Sequence, residues 1–211
     1  MTSVLTTLGA QLHPEHTALL VWDCQNGLVD RAFNKDAFVA NTAALLAWAR
    51  AAPVPIVYSK IVPLPAPWEA GPRMLRMMRR FRVTRPEDLR PMLTPGSAAA
   101  EIPEALAPRD DDLVLGKHTT SMFIGTHFEY LLRNRGIRTL LLAGISTENG
   151  IEATARDADN RGYYTVVLED CVSSPDEEAH ELALGLMRRY CTVAPLAQVQ
   201  AAMKEFESRT S

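Results

Sequence analysis

The sequence predicts an α/β fold, namely a three-layer, doubly wound, mainly parallel six-stranded sheet with helices on both faces. Two observations lead to this prediction. Short apolar runs alternate with segments of helical periodicity along the chain. The runs end at turn-forming or charged residues, which is typical of βαβ units with buried strands. With 211 residues, the chain is long enough to bury a substantial core.

The individual elements follow from these patterns. Apolar runs predict strands at residues 17–22, 56–58, 113–115, 140–142, 163–168 and 192–194. Helical spacing predicts helices at 36–51, 121–134, 176–190 and 196–207, with a further helix after the fourth strand. One of Thr119, Thr120 and Ser121 is expected to cap the second of these helices, and Gly136 fits its C′ position.

Residues 60–112 are the least regular part of the chain. They are rich in proline and enclose a basic segment at 73–82. We interpret them as an insert within a single domain that spans residues 1–211. Most arginines of the basic segment are expected to form a solvated helix face, while one or two could bind a substrate carboxylate.

Composition excludes several classes of protein. The hydrophobic fraction is 47% and the formal net charge is −3, which argues against a nucleic-acid binder. No apolar run reaches the roughly 18 residues of a membrane span, and the first residues do not resemble a signal peptide. Three sparse cysteines indicate free thiols in a reduced, cytoplasmic protein. The five histidines show no ligand spacing, so neither a metal nor another cofactor is expected.

Three features fall beyond the carboxyl ends of predicted strands, where α/β folds bind ligands. Asp23 ends the first strand and Lys117 follows the third, so together they are a candidate acid/base pair. Each also has a structural interpretation, because Asp23 could simply begin a turn and Lys117 could be a solvated residue before a helix. Cys24 is expected to pack in the core, and Cys171 and Cys191 to be structural.

The third feature is the turn after the fourth strand. Ser146, Thr147, Asn149 and Gly150 form a candidate binding turn, since backbone N–H groups at a helix start suit an oxyanion or carboxylate. Thr147 is the expected N-cap. Gly150 is unusual in a first helical turn, where glycine costs about 1 kcal/mol relative to alanine.

From about residue 17 to residue 174, the chain resembles the isochorismatase-like hydrolases, which include isochorismatases, nicotinamidases and carbamoylsarcosine-type amidohydrolases. The resemblance lies in ALLVWDCQNGLV and in the segment KHTTSMFIGTHFEYLLRNRGIRTLLLAGISTENGIEATARDADNRGYYTVVLEDCVSS. It implies that Asp23 is the catalytic aspartate and Lys117 the catalytic lysine. It also implies a cis peptide bond between Ile145 and Ser146, and a homo-oligomer, either a dimer or a tetramer.

The chain departs from the amidohydrolase pattern at one decisive position. Where those members carry the nucleophilic cysteine, this chain has Gly150, so a thioester formed at this position is excluded by composition. Gln25, Asn26 and Gly27 likewise do not supply the metal ligands of nicotinamidases. True isochorismatases also have glycine at this position and hydrolyse a vinyl ether, although their turn carries aromatic and histidine residues that are absent here.

The resemblance therefore implies a hydrolase without a covalent cysteine intermediate, acting on a small anionic metabolite. Asp23 would be the general acid, Lys117 would orient it, and Gly150 would leave room for a bulky substrate. One alternative is a non-catalytic relative that binds a metabolite or serves assembly. Against it, a buried ion pair is usually not kept for stability alone. Another alternative is an amidohydrolase with a displaced nucleophile such as Cys24.

Overall fold

A computed structural model describes residues 4–210, apart from the side chains of residue 66 and residues 206–210. The strands are β1 (Thr17–Trp22), β2 (Ile56–Ile61), β3 (Leu113–Lys117), β4 (Thr139–Ile145), β5 (Tyr164–Ser173) and β6 (Thr192–Ala194). The helices are α1 (Leu8–Gln11), α2 (Asn26–Val29), α3 (Lys35–Ala51), α4 (Gly71–Phe81), α5 (Phe128–Asn134), α6 (Glu152–Asn160), α7 (Glu177–Met187) and α8 (Leu196–Thr210).

The six strands form one sheet in the order β3-β2-β1-β4-β5-β6. All five neighbouring pairs are parallel. The predicted doubly wound α/β fold is therefore confirmed. Because the chain order reverses between β1 and β4, the crevice for a ligand lies beyond the carboxyl ends of these two strands. Asp23 follows β1 and Ser146 follows β4, so both residues lie at this switch point.

The core has two parts, one on each face of the sheet. Alternate residues of β1 separate between them: Leu19 and Val21 pack toward α3 and α8, whereas Leu20 and Trp22 pack toward α5, α6 and α7. Both faces are buried, which explains why β1 and β4 are continuous apolar runs rather than alternating ones. Trp22 thus points away from the face that holds Cys24.

The strand predictions were close, while one helix was misplaced. The second, third, fourth and fifth strands run further than predicted, and the predicted helix at 121–134 begins only at Phe128. The expected cap among residues 119–121 was therefore wrong. Gly136 does follow α5 in the left-handed conformation at φ +66°. Asp176 caps α7, where its carboxylate accepts a hydrogen bond from the Ala179 amide at 3.0 Å.

The segment between β2 and β3 contains one longer helix, α4, and several short 3₁₀ turns. No residue of α4 is fully buried. The helix ends at Arg82, which adopts the left-handed conformation at φ +54°. Nowhere in residues 4–210 is a helix both long and apolar enough to cross a bilayer.

Candidate active site

Asp23, Lys117 and Ser59 form a buried polar group at the carboxyl ends of β1, β2 and β3. The Lys117 ammonium donates to Oδ2 of Asp23 at 2.6 Å, and the Ser59 hydroxyl donates to Oδ1 at 2.5 Å. Asp23 and Lys117 are each only 1% exposed. Asp23 adopts a left-handed backbone conformation at φ +47°, directly after the last residue of β1. The two predicted catalytic side chains are thus in direct contact, although 94 positions separate them in the chain.

Burial dominates the electrostatics of this pair. It raises the pKa of the Asp23 carboxyl, because the ionised form has lost its water. The charge of Lys117, the hydrogen bonds from Lys117 and Ser59, and the more distant Arg73 act in the opposite direction. Burial likewise lowers the pKa of the Lys117 ammonium, against the opposing effect of Asp23. An aspartate held in this way retains its proton to a higher pH than usual, as a general acid requires.

Asp23 belongs to the lining of a cavity of about 340 Å³, whereas Lys117 does not. Its floor includes Trp22, Asp23, Ser146 and Asn149. One wall comes from α4 and the residues on either side of that helix, and the remainder comes from α2 and from the ends of β2 and β3. The apolar part of that wall comprises Met74, Met77, Phe81, Leu89, Met92 and Leu93. The charged part comprises Arg73, Arg76, Arg80 and Arg90 together with Glu69. Glu69 is paired with Arg73, so the lining carries an excess of positive charge.

The turn after β4 differs from the expected helix start. Residues Thr147–Ile151 form a single π-helical turn, and the Ile145–Ser146 peptide bond is cis. The N–H groups of Asn149, Gly150 and Ile151 all donate to the Ser146 carbonyl oxygen, at 3.3, 3.0 and 3.2 Å. Of the predicted binding-turn residues, Asn149 and Gly150 therefore do not present free amides to an anion, because the carbonyl at the start of the turn already accepts their hydrogen bonds.

The predicted binding-turn residues separate into two groups. Ser146 and Asn149 line the cavity, whereas Thr147 and Gly150 are buried outside its lining. The Thr147 hydroxyl lies 2.8 Å from Nδ1 of His180 on α7. Thr147 is thus not the N-cap that was expected. Ser146 occupies the cap position, and its side chain makes no capping hydrogen bond.

Gly150 lies against the indole ring of Trp22. A Cβ atom at Gly150 would come within 3.0 Å of three indole atoms, and Cβ atoms in proteins do not approach other atoms so closely. Gly144, the register partner of Trp22 on β4, is confined in the same way by the Trp22 backbone. The expectation that Gly150 leaves room for substrate was wrong, since Trp22 fills the space.

The three cysteines lie away from the cavity. None of them belongs to its lining among the described residues. Cys24 and Cys171 are fully buried in the core, and burial raises the pKa of both thiols above the usual range. Burial also raises the pKa of the Cys191 thiol to about 12. At neutral pH these groups are protonated, and the protonated thiol is a poor nucleophile.

One group of candidate metal ligands escaped the sequence analysis. His13, Glu15 and His16 place their ligand atoms within 4.8 Å of one another just before β1. Nδ1 of His13 already accepts a hydrogen bond from the Glu15 amide. The group lies at the opposite end of β1 from Asp23, so it does not contribute to the cavity.

Comparison with known proteins places this geometry in a family. A family model described as the isochorismatase domain matches residues 17–198. The chain belongs to the isochorismatase family. A ureidoacrylate amidohydrolase, RutB, from Methylobacterium radiotolerans is 34% identical over 194 residues, covering 82% of this chain and 74% of that protein. The chain is accordingly an isochorismatase-family hydrolase.

Solved structures agree with this assignment. An isochorismatase family protein from Desulfovibrio vulgaris superimposes with a TM-score of 0.77 at 28% identity, covering 90% of this chain and 98% of that one. Another from Burkholderia thailandensis gives a TM-score of 0.74 at 30% identity, covering 92% and 98%. The isochorismatase fold is therefore shared over nearly the whole length of each chain.

Sequence reasoning missed the contribution of Trp22. Trp22 immediately precedes Asp23 and was assigned only to a buried strand. A usable signal was present, because a bulky aromatic residue at the end of β1 and a glycine at position 150 are complementary in size. Recognising it required knowing that β1 and β4 are neighbours, which the sequence alone does not specify.

Proposed function

We propose that this isochorismatase-family chain hydrolyses a small anionic metabolite by acid–base chemistry with water, without a covalent cysteine intermediate. The observation that carries the proposal is the buried Asp23–Lys117 pair, joined at 2.6 Å, of which Asp23 lines a cavity of about 340 Å³. The Trp22 ring against Gly150 supports the absence of a side-chain nucleophile at that position. The arginines of the lining support an anionic substrate, and the methionines beside them an apolar portion.

A vinyl ether is the substrate class that this pair suits best. Protonated Asp23 would give its proton to the alkene carbon, forming an oxocarbenium ion that water then attacks at the adjacent carbon. The attacking water would return a proton to Asp23, and the resulting hemiketal would break down to a ketone and an alcohol. Lys117 would hold the Asp23 carboxylate in place and stabilise its negative charge while the cation exists.

The test is the Asp23→Asn variant, assayed against a panel of enolpyruvyl ethers and N-carbamoyl acids. We expect turnover to fall by roughly 10²–10⁴-fold, the usual contribution of a positioned acid, with an unchanged circular dichroism spectrum. Asp170→Asn is the matched control, because Asp170 accepts the Leu196 amide at 2.9 Å and lies outside the cavity lining. Turnover retained by Asp23→Asn would contradict the proposal. Ligand-induced melting shifts without any product would favour a non-catalytic binder.

A second candidate is an amidohydrolase with a displaced nucleophile. The 34% identity to a protein named ureidoacrylate amidohydrolase supports it. Treatment of the folded protein with iodoacetamide separates the two candidates, because a nucleophilic thiol reacts and substrate protects it. Activity that survives alkylation of all accessible cysteines favours the acid–base route, and substrate-protected inactivation favours the displaced nucleophile.

A further inference from the structure

Trp22 contacts the predicted catalytic residue Lys117 in addition to Gly150. The Lys117 ammonium lies 3.7 Å from the centroid of the Trp22 ring. The same nitrogen donates to Asp23 at 2.6 Å and to the Thr119 carbonyl at 3.1 Å. With Lys117 almost fully buried, the ring face takes the place of water on one side of the charge. Tryptophan attracts a cation over its face more strongly than the other aromatic residues do.

The position of the ring depends on glycine at residue 150. Any larger residue would place its Cβ inside the indole ring. The ring is part of the rigid floor between β1 and β4, since Trp22 is only 6% exposed and pairs in register with Gly144. A side chain at position 150 and the indole in its present place are therefore mutually exclusive.

Packing alone does not account for the choice of tryptophan. The indole Nε1 is buried, and it has no hydrogen-bond partner among the described residues. A buried donor without an acceptor is unfavourable, and phenylalanine or leucine at position 22 would avoid this cost. The contact with Lys117 is a benefit that offsets this cost, and it needs the electron-rich face of the ring.

We propose that Trp22 is a positioning residue that holds the Lys117 ammonium against Asp23, and that Gly150 is required because it admits the ring. The functional importance of this contact rests on the proposed function, in which Lys117 orients and stabilises Asp23. The contact itself is measured on the folded protein without substrate. Its failure is therefore distinguishable from failure of the proposed hydrolysis, which the Asp23→Asn assay decides.

The first experiment tests the pairing of Trp22 with Gly150 by thermal unfolding. Gly150→Ala alone should lower the unfolding midpoint by about 3–10 °C, because overpacking a rigid core is costly. Trp22→Leu alone should lower it as well, by leaving a void. The double variant Trp22→Leu/Gly150→Ala refills part of that void and should be more stable than the sum of the single changes predicts. A Gly150→Ala protein as stable as the parent would overturn the pairing.

The second experiment measures the titration of Lys117 by NMR of ¹³C-labelled lysine, assigned with Lys117→Met. In the Trp22→Leu/Gly150→Ala variant, we expect the midpoint to fall by about 1.5 pH units, since a desolvated cation–π contact stabilises the charged form of the lysine. Trp22→Phe, which keeps a weaker aromatic face and removes the unpaired N–H, should lie between. The charged groups facing Lys117 are Asp23 and, at longer range, Arg73, and both are retained throughout.

The comparison of wild type with Trp22→Phe and with the double variant makes the outcome decisive. Midpoints ordered tryptophan above phenylalanine above leucine, with intact folds, would support the positioning role. Equal midpoints in wild type and the double variant would show that the ring only packs, and would overturn it. Should the double variant fail to fold, Trp22→Phe alone still decides, because a midpoint unchanged from wild type contradicts the proposal.

Discussion

Ser59 shows how much one hydroxyl group contributes at the scale of single residues. Its Oγ donates to Asp23 at 2.5 Å and accepts from the Asp23 amide at 3.1 Å, and Ser59 is fully buried. Ser59→Ala should therefore destabilise the protein by about 1–3 kcal/mol, because it leaves the buried Oδ1 of Asp23 without this donor, although the Asp23 amide still donates to the Ser59 carbonyl at 3.2 Å. It should also raise the pKa of Asp23 further, since the lost hydrogen bond favoured the ionised form.

Ser97 provides a matched control for this change. Its Oγ is also buried, but it has no hydrogen-bond partner among the described residues. Ser97→Ala removes the same atom without breaking a bond, so its free energy of unfolding should equal or exceed that of wild type. Urea denaturation of both variants measures the difference. A loss in Ser97→Ala as large as that in Ser59→Ala would contradict the assigned role of the Ser59 hydroxyl.

His180 gives the fold a specific pH dependence. It packs edge-on against Phe33 and contacts the Thr147 hydroxyl, and burial lowers the pKa of its imidazole below 6.5. The folded state thus binds this proton more weakly than the unfolded state does. The contribution of neutral His180 is present above pH 6.5 and is lost as the pH falls through the lowered value, with a slope of at most about 1.4 kcal/mol per pH unit.

This expectation is tested by measuring the free energy of unfolding from pH 7.5 to pH 5. This range of about two and a half pH units includes the ordinary histidine pKa. His180→Gln should flatten the fall seen in wild type. His127→Gln controls for the general loss of an imidazole, since His127 is exposed. A slope that persists in His180→Gln would assign the effect to another group.

At the scale of elements, two helix ends with left-handed residues, those of α4 and α5, make opposite predictions. Arg82 closes α4 at φ +54°, a conformation that costs a non-glycine residue about 1–2 kcal/mol. Gly136 closes α5 at φ +66°, where an added Cβ would meet no atom closer than 3.9 Å. Arg82→Gly should therefore stabilise α4, and Gly136→Ala should destabilise α5 by conformational strain alone.

Chemical denaturation measures the effect of Gly136→Ala, and amide hydrogen exchange within α4 measures the effect of Arg82→Gly. We expect Gly136→Ala to lose about 1 kcal/mol and Arg82→Gly to slow exchange in α4 several-fold. Gly185→Ala is a useful comparison, because Gly185 lies inside α7 with open space around it and should gain stability from the same substitution. Equal responses at Gly136 and Gly185 would show that backbone conformation is not the cause.

The elements also show which structural signals the sequence contains. Strands β1 and β4 were predictable because burial on both faces leaves uninterrupted apolar runs. The start of α5 was not, since residues 121–127 satisfy their backbone groups locally. Thr119 Oγ1 donates to the Ile124 carbonyl at 2.7 Å, and Thr126 Oγ1 to the Met122 carbonyl at 2.5 Å. Threonine and serine compete with helical hydrogen bonds in this way, so a cap signal and a loop signal look alike.

The site was predictable to the same degree and for related reasons. Asp23 follows β1 and Lys117 is the last residue of β3, so the parallel topology brings them to one edge of the sheet and the sequence pattern is enough to find them. The Trp22 contact depends on the register of β1 with β4, and the amide bonds to Ser146 depend on a π-helical turn. Neither leaves a periodic pattern, because both arise from tertiary packing rather than local propensity.

At the scale of the whole molecule, the cavity joins a rigid floor to a weakly anchored wall. β4 is buried along its whole length, whereas α4 has no fully buried residue. Regions with little buried apolar surface open at lower free energy than the core does. We therefore expect α4 to exchange its amide hydrogens through local opening, at least about 10²-fold faster than β4 under native conditions.

Hydrogen exchange followed by mass spectrometry tests this division with one core variant. Leu141→Ala, at a fully buried position of β4, should destabilise the fold by about 2–5 kcal/mol and accelerate exchange in β4, because those amides exchange through global unfolding. Exchange in α4 should stay unchanged, since its opening does not involve the core. Leu186→Ala, at a position 46% exposed, controls for the substitution itself. If α4 accelerates in step with β4, the wall and floor of the cavity unfold as one cooperative unit, and the arginines above Asp23 cannot move independently of it.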